Sequence, residues 1–209
     1  MKAQCRYQSI GLDRGYERDN SVQILAGSRQ ELEFEPEQVV EFVAALLAGV
    51  DLQESVLGRL ELTDAVFEKC DASNGKWSES ALVRARFVDC RLIGIDLGGA
   101  SIQHVTFERC AIELSSFRLA SFKSAVFNEC TMRDTEFSGA DLRGVRFSQC
   151  DLKRVQMSGA KLKGADLRGS SIDDIRVSPA DLGGAIVDPI QMTGLAWTIG
   201  RHFGIIVRE

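Results

Sequence analysis

The sequence is short of several residue types and patterns, and each shortage excludes a class of protein. Only two histidines and three prolines occur among 209 residues, and no apolar run approaches the ~18 residues that a membrane-spanning helix needs. Charges interrupt the apolar stretches of the N-terminus, so we expect no secretory signal. A net charge of −5 and a pI near 5.2 argue against a general nucleic-acid binder, which needs a basic surface. The sequence therefore predicts a soluble, cytoplasmic protein.

Glycine and cysteine are plentiful by contrast, with 19 and 6 residues, and this imbalance prompts a search for repeats. Every fifth residue from Leu52 to Val187 is apolar, which gives 28 positions. The 28 residues that lie two places earlier are mostly small, and none is charged. Helices repeat every 3.6 residues and half-buried strands every 2. A five-residue unit with two inward residues must therefore turn a corner in each repeat.

Four segments show the repeat most plainly: ADLRG at 140 and again at 165, ADLGG at 180 and AKLKG at 160. They resemble the motif of the pentapeptide repeat family, commonly written A(D/N)Lxx. The resemblance covers about two thirds of the chain. It implies an all-β fold, a right-handed quadrilateral β-helix with four repeats per coil, and hence about seven coils over residues 50–189.

The spacing of cysteine and phenylalanine bears on the number of repeats per coil. Both residue types recur every twenty residues, so each set should form one column with ~4.8 Å between stacked strands. A metal site needs converging thiolates, and a disulfide needs Cβ atoms ~3.8 Å apart, whereas parallel inward thiols offer neither. We expect small buried core cysteines, with Cys5 outside the repeat. The expected core columns are Phe67, Phe87, Phe107, Phe127 and Phe147, and Cys70, Cys90, Cys110, Cys130 and Cys150.

Residues 1–49 are expected to cap the first coil. A helix is predicted over about 36–48, because Pro36 stands in the first turn, Gly49 follows the end, and an apolar stripe recurs at helical spacing. The segments SVQILA and ELEFE, between residues 21 and 35, predict short strands. An open solenoid end exposes apolar cross-section and unpaired strand edges, so a cap is needed.

Residues 190–209 predict a C-terminal helix and a short tail. Leu195, Ile199 and Phe203 recur at four-residue spacing, and Gly204 follows them. In family members that act on DNA gyrase, a C-terminal helix with a Gly-Ile-Val-like tail makes a tail-to-tail dimer, and the resemblance implies a homodimer here. The alternative is a monomeric cap with Trp197 and Phe203 folded inward, and the sequence leaves both open. The residues expected at a dimer contact are Leu195, Trp197, Ile199 and Phe203.

No pattern indicates a catalytic, cofactor or metal site. His104 and His202 have no second ligand at suitable spacing, and Asp173-Asp174 is interpreted as a solvated acidic pair. No nucleophile elbow or phosphate loop occurs. Because the inward positions carry no acids, an enzyme would have to place its chemistry on flat outer faces without a cleft. We interpret the chain as a binding or scaffold protein, not an enzyme, that needs no cofactor.

The resemblance implies a protein partner, DNA gyrase or topoisomerase IV, which an acidic rod of duplex-like width would bind by DNA mimicry. Such family members protect the enzyme from quinolones or peptide toxins, so antibiotic resistance is an implied role. Residues 50–189 hold 18 basic and 21 acidic residues, a net charge of −3, which is weak for a mimic. A scaffold with an unrelated partner, such as a regulatory protein or a secreted effector, is the alternative. The sequence does not indicate which face binds.

Overall fold

Short extended segments and corners of positive φ alternate along the chain. The computed structural model describes residues 23–25, 39–57 and 59–206. At the corners, φ ranges from 48° at Ala44 to 81° at Gly184. The elements of the described residues are strands β1 Gln23–Leu25, β2 Val39–Val43, β3 Ala45–Ala48, β4 Arg59–Thr63, β5 Val66–Glu68, β6 Ala81–Val83, β7 Arg86–Val88, β8 Ser101–Gln103, β9 Thr106–Glu108, β10 Ser121–Lys123, β11 Val126–Asn128 and β12 Arg146–Ser148, and helix α1 Pro189–His202.

The strands form two parallel sheets that are two walls of one tube. Face 1 contains the five strands β2, β4, β6, β8 and β10, and face 2 contains the other seven. From β2 onward the register from rung to rung is twenty residues, as between Ser101 and Ser121 or Phe107 and Phe127, whereas β1 pairs with β3 at an interval of 22. The other two walls are face 3, which starts at Asp51, and face 4, which starts at Val56. Within each of these faces, single parallel bridges join successive rungs at an interval of twenty residues. Four repeats therefore complete one coil.

Each corner requires a residue that accepts a left-handed backbone. At Leu92–Ile95 the Ile95 amide donates to the Leu92 carbonyl over 3.2 Å, and Gly94, the third residue, has φ +69°. This is the geometry of a type II turn, which favours glycine there. A Cβ at Gly94 would lie 2.5 Å from Oδ1 of Asn74 in the preceding coil. Glycine is therefore favoured at this corner, although Leu114 adopts a φ of 58° at the equivalent place in the next coil.

The fold class predicted from the sequence is confirmed, with a small difference in the number of coils. Regular strands form about five turns, as the five strands of face 1 show. The period predicts about seven coils. The two counts differ because most rungs beyond Asn128 are single bridges, such as Asp141 to Lys161 and Asp166 to Ile186.

The interior is filled by the two inward residues of each repeat. Large apolar side chains fill its centre and small ones lie beside the corners, from Val40 to Val177, in one continuous buried cluster. The few buried polar side chains in the repeats are hydrogen-bonded: the Thr135 hydroxyl donates to the Ile112 carbonyl over 2.7 Å, and the Ser115 hydroxyl to that of Leu92 over 2.7 Å. No described buried side-chain nitrogen or oxygen lacks a partner, as a stable interior requires.

The helix predicted over residues 36–48 is wrong, because residues 39–43 and 45–48 are the strands β2 and β3. Ala44 between them has φ 48° and turns a corner, which a right-handed helix cannot contain. The repeats begin by residue 40 rather than at residue 50. SVQILA does contain strand β1, while ELEFE, Cys5 and residues 36–38 lie outside the described residues. The inward residues that continue the five-residue register are Val40, Phe42, Ala45 and Leu47.

Candidate functional site

The predicted Phe column runs through the interior as a stack of parallel rings. The centroid distances are 4.8 Å for Phe67–Phe87, 5.0 Å for Phe87–Phe107, 4.7 Å for Phe107–Phe127 and 5.1 Å for Phe127–Phe147. The interplanar angles are 19° or less. These distances match the separation of parallel rungs. The column is therefore part of the scaffold, and none of its rings is available to a partner.

The Cys column lies beside the rings and is equally buried. Its thiols are free. Four of the five donate to the carbonyl of a phenylalanine one coil earlier, as Cys110 does to Phe87 over 3.3 Å, and Cys70 donates to the carbonyl of Leu47. Contact with the Cys110 sulfur, together with burial, raises the pKa of Cys90 to about 12. A thiol held in this way is a weak nucleophile. Within the described ranges, no group of His, Cys, Asp and Glu side chains could hold a metal ion.

On the outer surface, ion pairs link one coil to the next. Three corner arginines each bind the aspartate twenty residues earlier through two hydrogen bonds, of 2.5 and 2.7 Å for Arg84 to Asp64. The hydrogen bonds from the arginine lower the pKa of the carboxyl in each pair. All these side chains are exposed, so each pair adds little stability. The three pairs are Asp64–Arg84, Asp89–Arg109 and Asp134–Arg154.

The C-terminal helix begins with a reciprocal cap. The Asp188 carboxylate accepts from the Gln191 amide over 2.9 Å, and the Gln191 side chain accepts from the Asp188 amide over 2.9 Å. This is a capping box, with Pro189 as the first helical residue. The Gln191 side-chain nitrogen also donates to the carbonyls of Leu167 and Ser170, over 2.6 and 2.7 Å. Gln191 thus attaches the helix to the last coils and satisfies carbonyls that no further coil reaches.

Three of the four residues predicted at a dimer contact lie in helix α1, and Phe203 directly follows its last residue. Leu195 is 3% exposed and Ile199 packs against the core, so these two cover the end of the solenoid. Trp197 is 58% exposed and Phe203 is 69% exposed. The alternative in which both aromatic residues fold inward is therefore wrong.

Further apolar residues of the helix and tail are exposed, and of these Ile190 and Met192 were not expected from the sequence, whereas Ile205 and Ile206 belong to the tail that the family resemblance had implicated. Ile190 is 85% exposed, and Met192, Ile205 and Ile206 are exposed as well. The signal was present, because apolar residues occur on more than one side of the predicted helix. With Trp197 and Phe203 they make residues 190–206 the part of the described chain with the most exposed large apolar side chains, and we call these six residues the C-terminal apolar surface. Surfaces of this kind mark interaction sites.

The remaining polar candidates do not come together. His104 and His202 are both exposed and lie far apart in the sequence, one on face 1 and one in helix α1. Asp173 pairs with Lys153 over 3.6 Å, so the Asp173-Asp174 pair is part of the outer charge pattern. In the part of the chain that the structure describes, no helix has the length and apolarity that a membrane crossing requires.

Parallel strands in register every twenty residues, with two inward residues in every five, define a four-sided β-solenoid. The sequence matches a family model described as the pentapeptide repeat region, over residues 40–117 and 100–177. These matches cover more than half of the chain, so the chain belongs to the pentapeptide repeat family. The first match starts at residue 40, where the structure also places the first inward pair.

Solved structures with a similar fold are distant in sequence. Full-length QnrB1, a plasmid-mediated fluoroquinolone resistance protein, is 18% identical, with 86% of this chain and 98% of that chain covered and a TM-score of 0.35. HetL of the cyanobacterium Nostoc sp. strain PCC 7120, involved in heterocyst differentiation regulation, is 17% identical, with 70% and 86% covered and a TM-score of 0.28. A pentapeptide repeat protein of the Arabidopsis thaliana thylakoid lumen is 18% identical, with 54% and 65% covered and a TM-score of 0.30. A search of curated proteins found no match.

Proposed function

We propose that the chain is a non-catalytic binding protein whose rod engages a type II topoisomerase, with DNA gyrase as the expected enzyme. The observation that carries the binding role is the C-terminal apolar surface at one end of a rod whose described charges all point outward. Enzyme sites need a water-excluding cleft with converging polar groups. The interior instead holds apolar residues and a few satisfied hydroxyls. A partner of this kind places the chain in the cytoplasm.

The uneven distribution of charge supports a partner that binds DNA. Face 3 consists of residues 51–54 and of the equivalent segments that follow at intervals of twenty residues, up to 171–174. These segments carry eight acidic and four basic residues. Face 3 therefore has a net charge of −4, which is more negative than the net charge of −3 of the whole region 50–189. A basic DNA-binding surface would be attracted to that face. Its charge density is about one net charge per 7–8 Å of rod, against one per ~1.7 Å in duplex DNA. The shape of the rod must therefore contribute to affinity as well as its charge.

The proposal is tested by a supercoiling assay with purified gyrase, with and without a fluoroquinolone. We expect the wild-type chain to inhibit supercoiling or to relieve drug inhibition at low micromolar concentration. The double substitution Asp51→Lys and Glu113→Lys reverses charge on face 3 and should weaken the effect. Glu79→Lys with Asp96→Lys on face 4 is the matched control. An absence of any effect on gyrase and on topoisomerase IV would refute the topoisomerase as partner.

A scaffold with a different protein partner is the second candidate, and one observation favours it. Lys123, Arg143, Lys161 and Lys163 lie close together on face 1, where a DNA mimic would carry acidic residues. The two candidates differ in their salt dependence and in the face used. A wild-type chain that leaves both gyrase and topoisomerase IV unaffected favours this second candidate. If an effect on gyrase survives Asp51→Lys with Glu113→Lys but is lost on substitution of Lys123 and Lys161, the topoisomerase remains the partner and mimicry by face 3 is not the mechanism.

A further inference from the structure

One column of charged residues departs from the alternation of sign seen elsewhere on the rod. On face 1, Lys123, Arg143 and Lys163 follow one another at intervals of twenty residues. Neighbouring rungs lie ~4.8 Å apart, so like charges at equivalent places repel each other. Among the described residues, Lys123 and Lys163 have no carboxylate within ion-pair distance. The column therefore has uncompensated positive charge.

Arg143 is the exception within the column, because its charge is neutralised in its own coil. Its Nη2 lies 2.6 Å from Oδ2 of Asp141 and its Nε 2.8 Å from Oδ1. Lys161 approaches the same carboxylate at 3.8 Å. The bidentate pair fixes the direction of the guanidinium. The cations on either side of it, Lys123 and Lys163, remain free to bind an anion, and of these Lys123 lines a depression.

A depression of about 530 Å³ opens on face 1 beside this lysine. The depression exists because several lining positions hold small residues, three serines and Gly144, and not long side chains that would fill the space. Its floor is Phe122, which is 6% exposed, whereas Phe117 and Phe137 are completely buried. The lining residues are Ser101, Gln103, Ser121, Phe122, Lys123, Ser124, Asp141, Arg143 and Gly144. Ligand sites of small molecules commonly have volumes of about 300–1,000 Å³.

We propose that this depression binds a phosphorylated small molecule of sugar-phosphate size. With the Arg143–Asp141 pair neutral, the lining has a net charge of +1, which comes from Lys123. The Lys123 ammonium supplies three donors for a phosphate group, and Lys163, one rung beyond Arg143, adds attraction from outside the depression. The serine hydroxyls and the Gln103 amide donate to and accept from hydroxyl groups. The exposed edge of Phe122 contacts the carbon skeleton between them.

Ribose 5-phosphate is a suitable probe, with ribose and inorganic phosphate as its two halves. In a titration followed by amide resonances of the full chain, we expect saturable shifts confined to residues 101–144. Lys123→Gln should weaken binding by about tenfold, since it removes a hydrogen bond to a charged group. Lys76→Gln removes one exposed lysine from face 4 and is the matched control, which should leave binding unchanged.

Titrations with ribose alone and with inorganic phosphate alone can overturn the proposal. Ribose alone should cause no saturable shifts, and inorganic phosphate should bind more weakly than the ester. Shifts spread over all basic residues, or equal losses in the Lys123 and Lys76 variants, would mean general electrostatic attraction and would overturn the site. Equal binding of inorganic phosphate and the ester would overturn the role of the hydroxyl groups, and the proposed ligand class with it. Unchanged amide spectra of the free variants establish that they are folded.

Discussion

Each ring of the Phe column is held between identical rings, because the backbone rungs fix their separation. Phe107 lies 5.0 Å from Phe87 and 4.7 Å from Phe127, and its edge meets Phe117 with centroids 6.4 Å apart. Hydrogen bonds between successive coils hold these neighbours in place, so they cannot move inward to fill a space. A core of this kind should therefore respond strongly to the loss of a single ring.

We expect Phe107→Ala to lower the free energy of unfolding by about 3–5 kcal/mol, the range for an aromatic residue truncated in a rigid core. Gln103→Ala is the control, since Gln103 points outward from the adjoining face. It should change stability by less than ~0.5 kcal/mol. Urea denaturation followed by circular dichroism measures both. Similar losses at the two positions would contradict the assignment of inward and outward residues.

At the level of residues, the five-residue period was enough to predict the core but not the surface. It placed Phe107 and Cys110 inward, because the alternation of large and small residues follows directly from the geometry of the coil. It could not locate the depression over Phe122, which depends on Ser101 and Gly144 being neighbours of Lys123 across different coils. Any residue can occupy an outward position, so periodicity carries no information there.

Among the elements, the N-terminal segment shows why a short repeat can be mistaken for a helix. Nearly every residue between 39 and 47 is apolar, and some of these apolar residues are three or four positions apart, which is the spacing of a helix. That spacing also describes two strands joined at a corner when one residue, Ala44, adopts a positive φ. The sequence did carry a signal for the strands, because Phe42 and Leu47 extend the series of every-fifth apolar residues that is counted from Leu52. The neighbouring coil decides, because β2 and β3 pair with β4 and β5.

Helix α1 depends on Asp188 for its attachment, and this makes its N-terminus sensitive to acid. Hydrogen bonds from the Gln191 and Gly169 amides lower the pKa of Asp188 below its usual value of 3.8. The Gly169 amide lies in the repeats, 3.1 Å from Oδ2 of Asp188. The charged carboxylate is therefore bound more strongly in the folded chain than in the unfolded one, so its contribution is present above the unfolded pKa.

We expect this contribution to disappear as the pH falls through the lowered pKa of Asp188, so that the start of α1 loosens below about pH 4. The amide resonances of Gln191 and Gly169 report the change, followed from neutral to acid pH. In Asp188→Asn the amide oxygen still caps the helix but does not ionise, so the same resonances should not titrate in that range. A titration that persists in Asp188→Asn would assign the acid sensitivity to another carboxyl.

For the whole molecule, the two sides of helix α1 serve different purposes. Covering the last coil requires only Gln191, Leu195 and Ile199, which contact the solenoid. Trp197 and Ile190 border the last coil but are 58% and 85% exposed, although they are large and apolar. Aromatic residues of this kind are enriched in the centres of interfaces. A second copy of the chain, related by a two-fold axis, would cover both apolar surfaces at once.

We therefore expect the protein to sediment as a dimer of twice 23.0 kDa and the double substitution Trp197→Glu and Phe203→Glu to convert it to a monomer. Both residues are exposed in the single chain, so the variant should keep its circular dichroism spectrum, and only the association should be lost. Leu114→Glu with Leu119→Glu is the control, because these leucines are exposed to a similar extent in the middle of the rod. That variant should remain dimeric. Analytical ultracentrifugation at micromolar concentrations separates the cases, and a monomeric wild-type chain would leave the C-terminal apolar surface to a different protein.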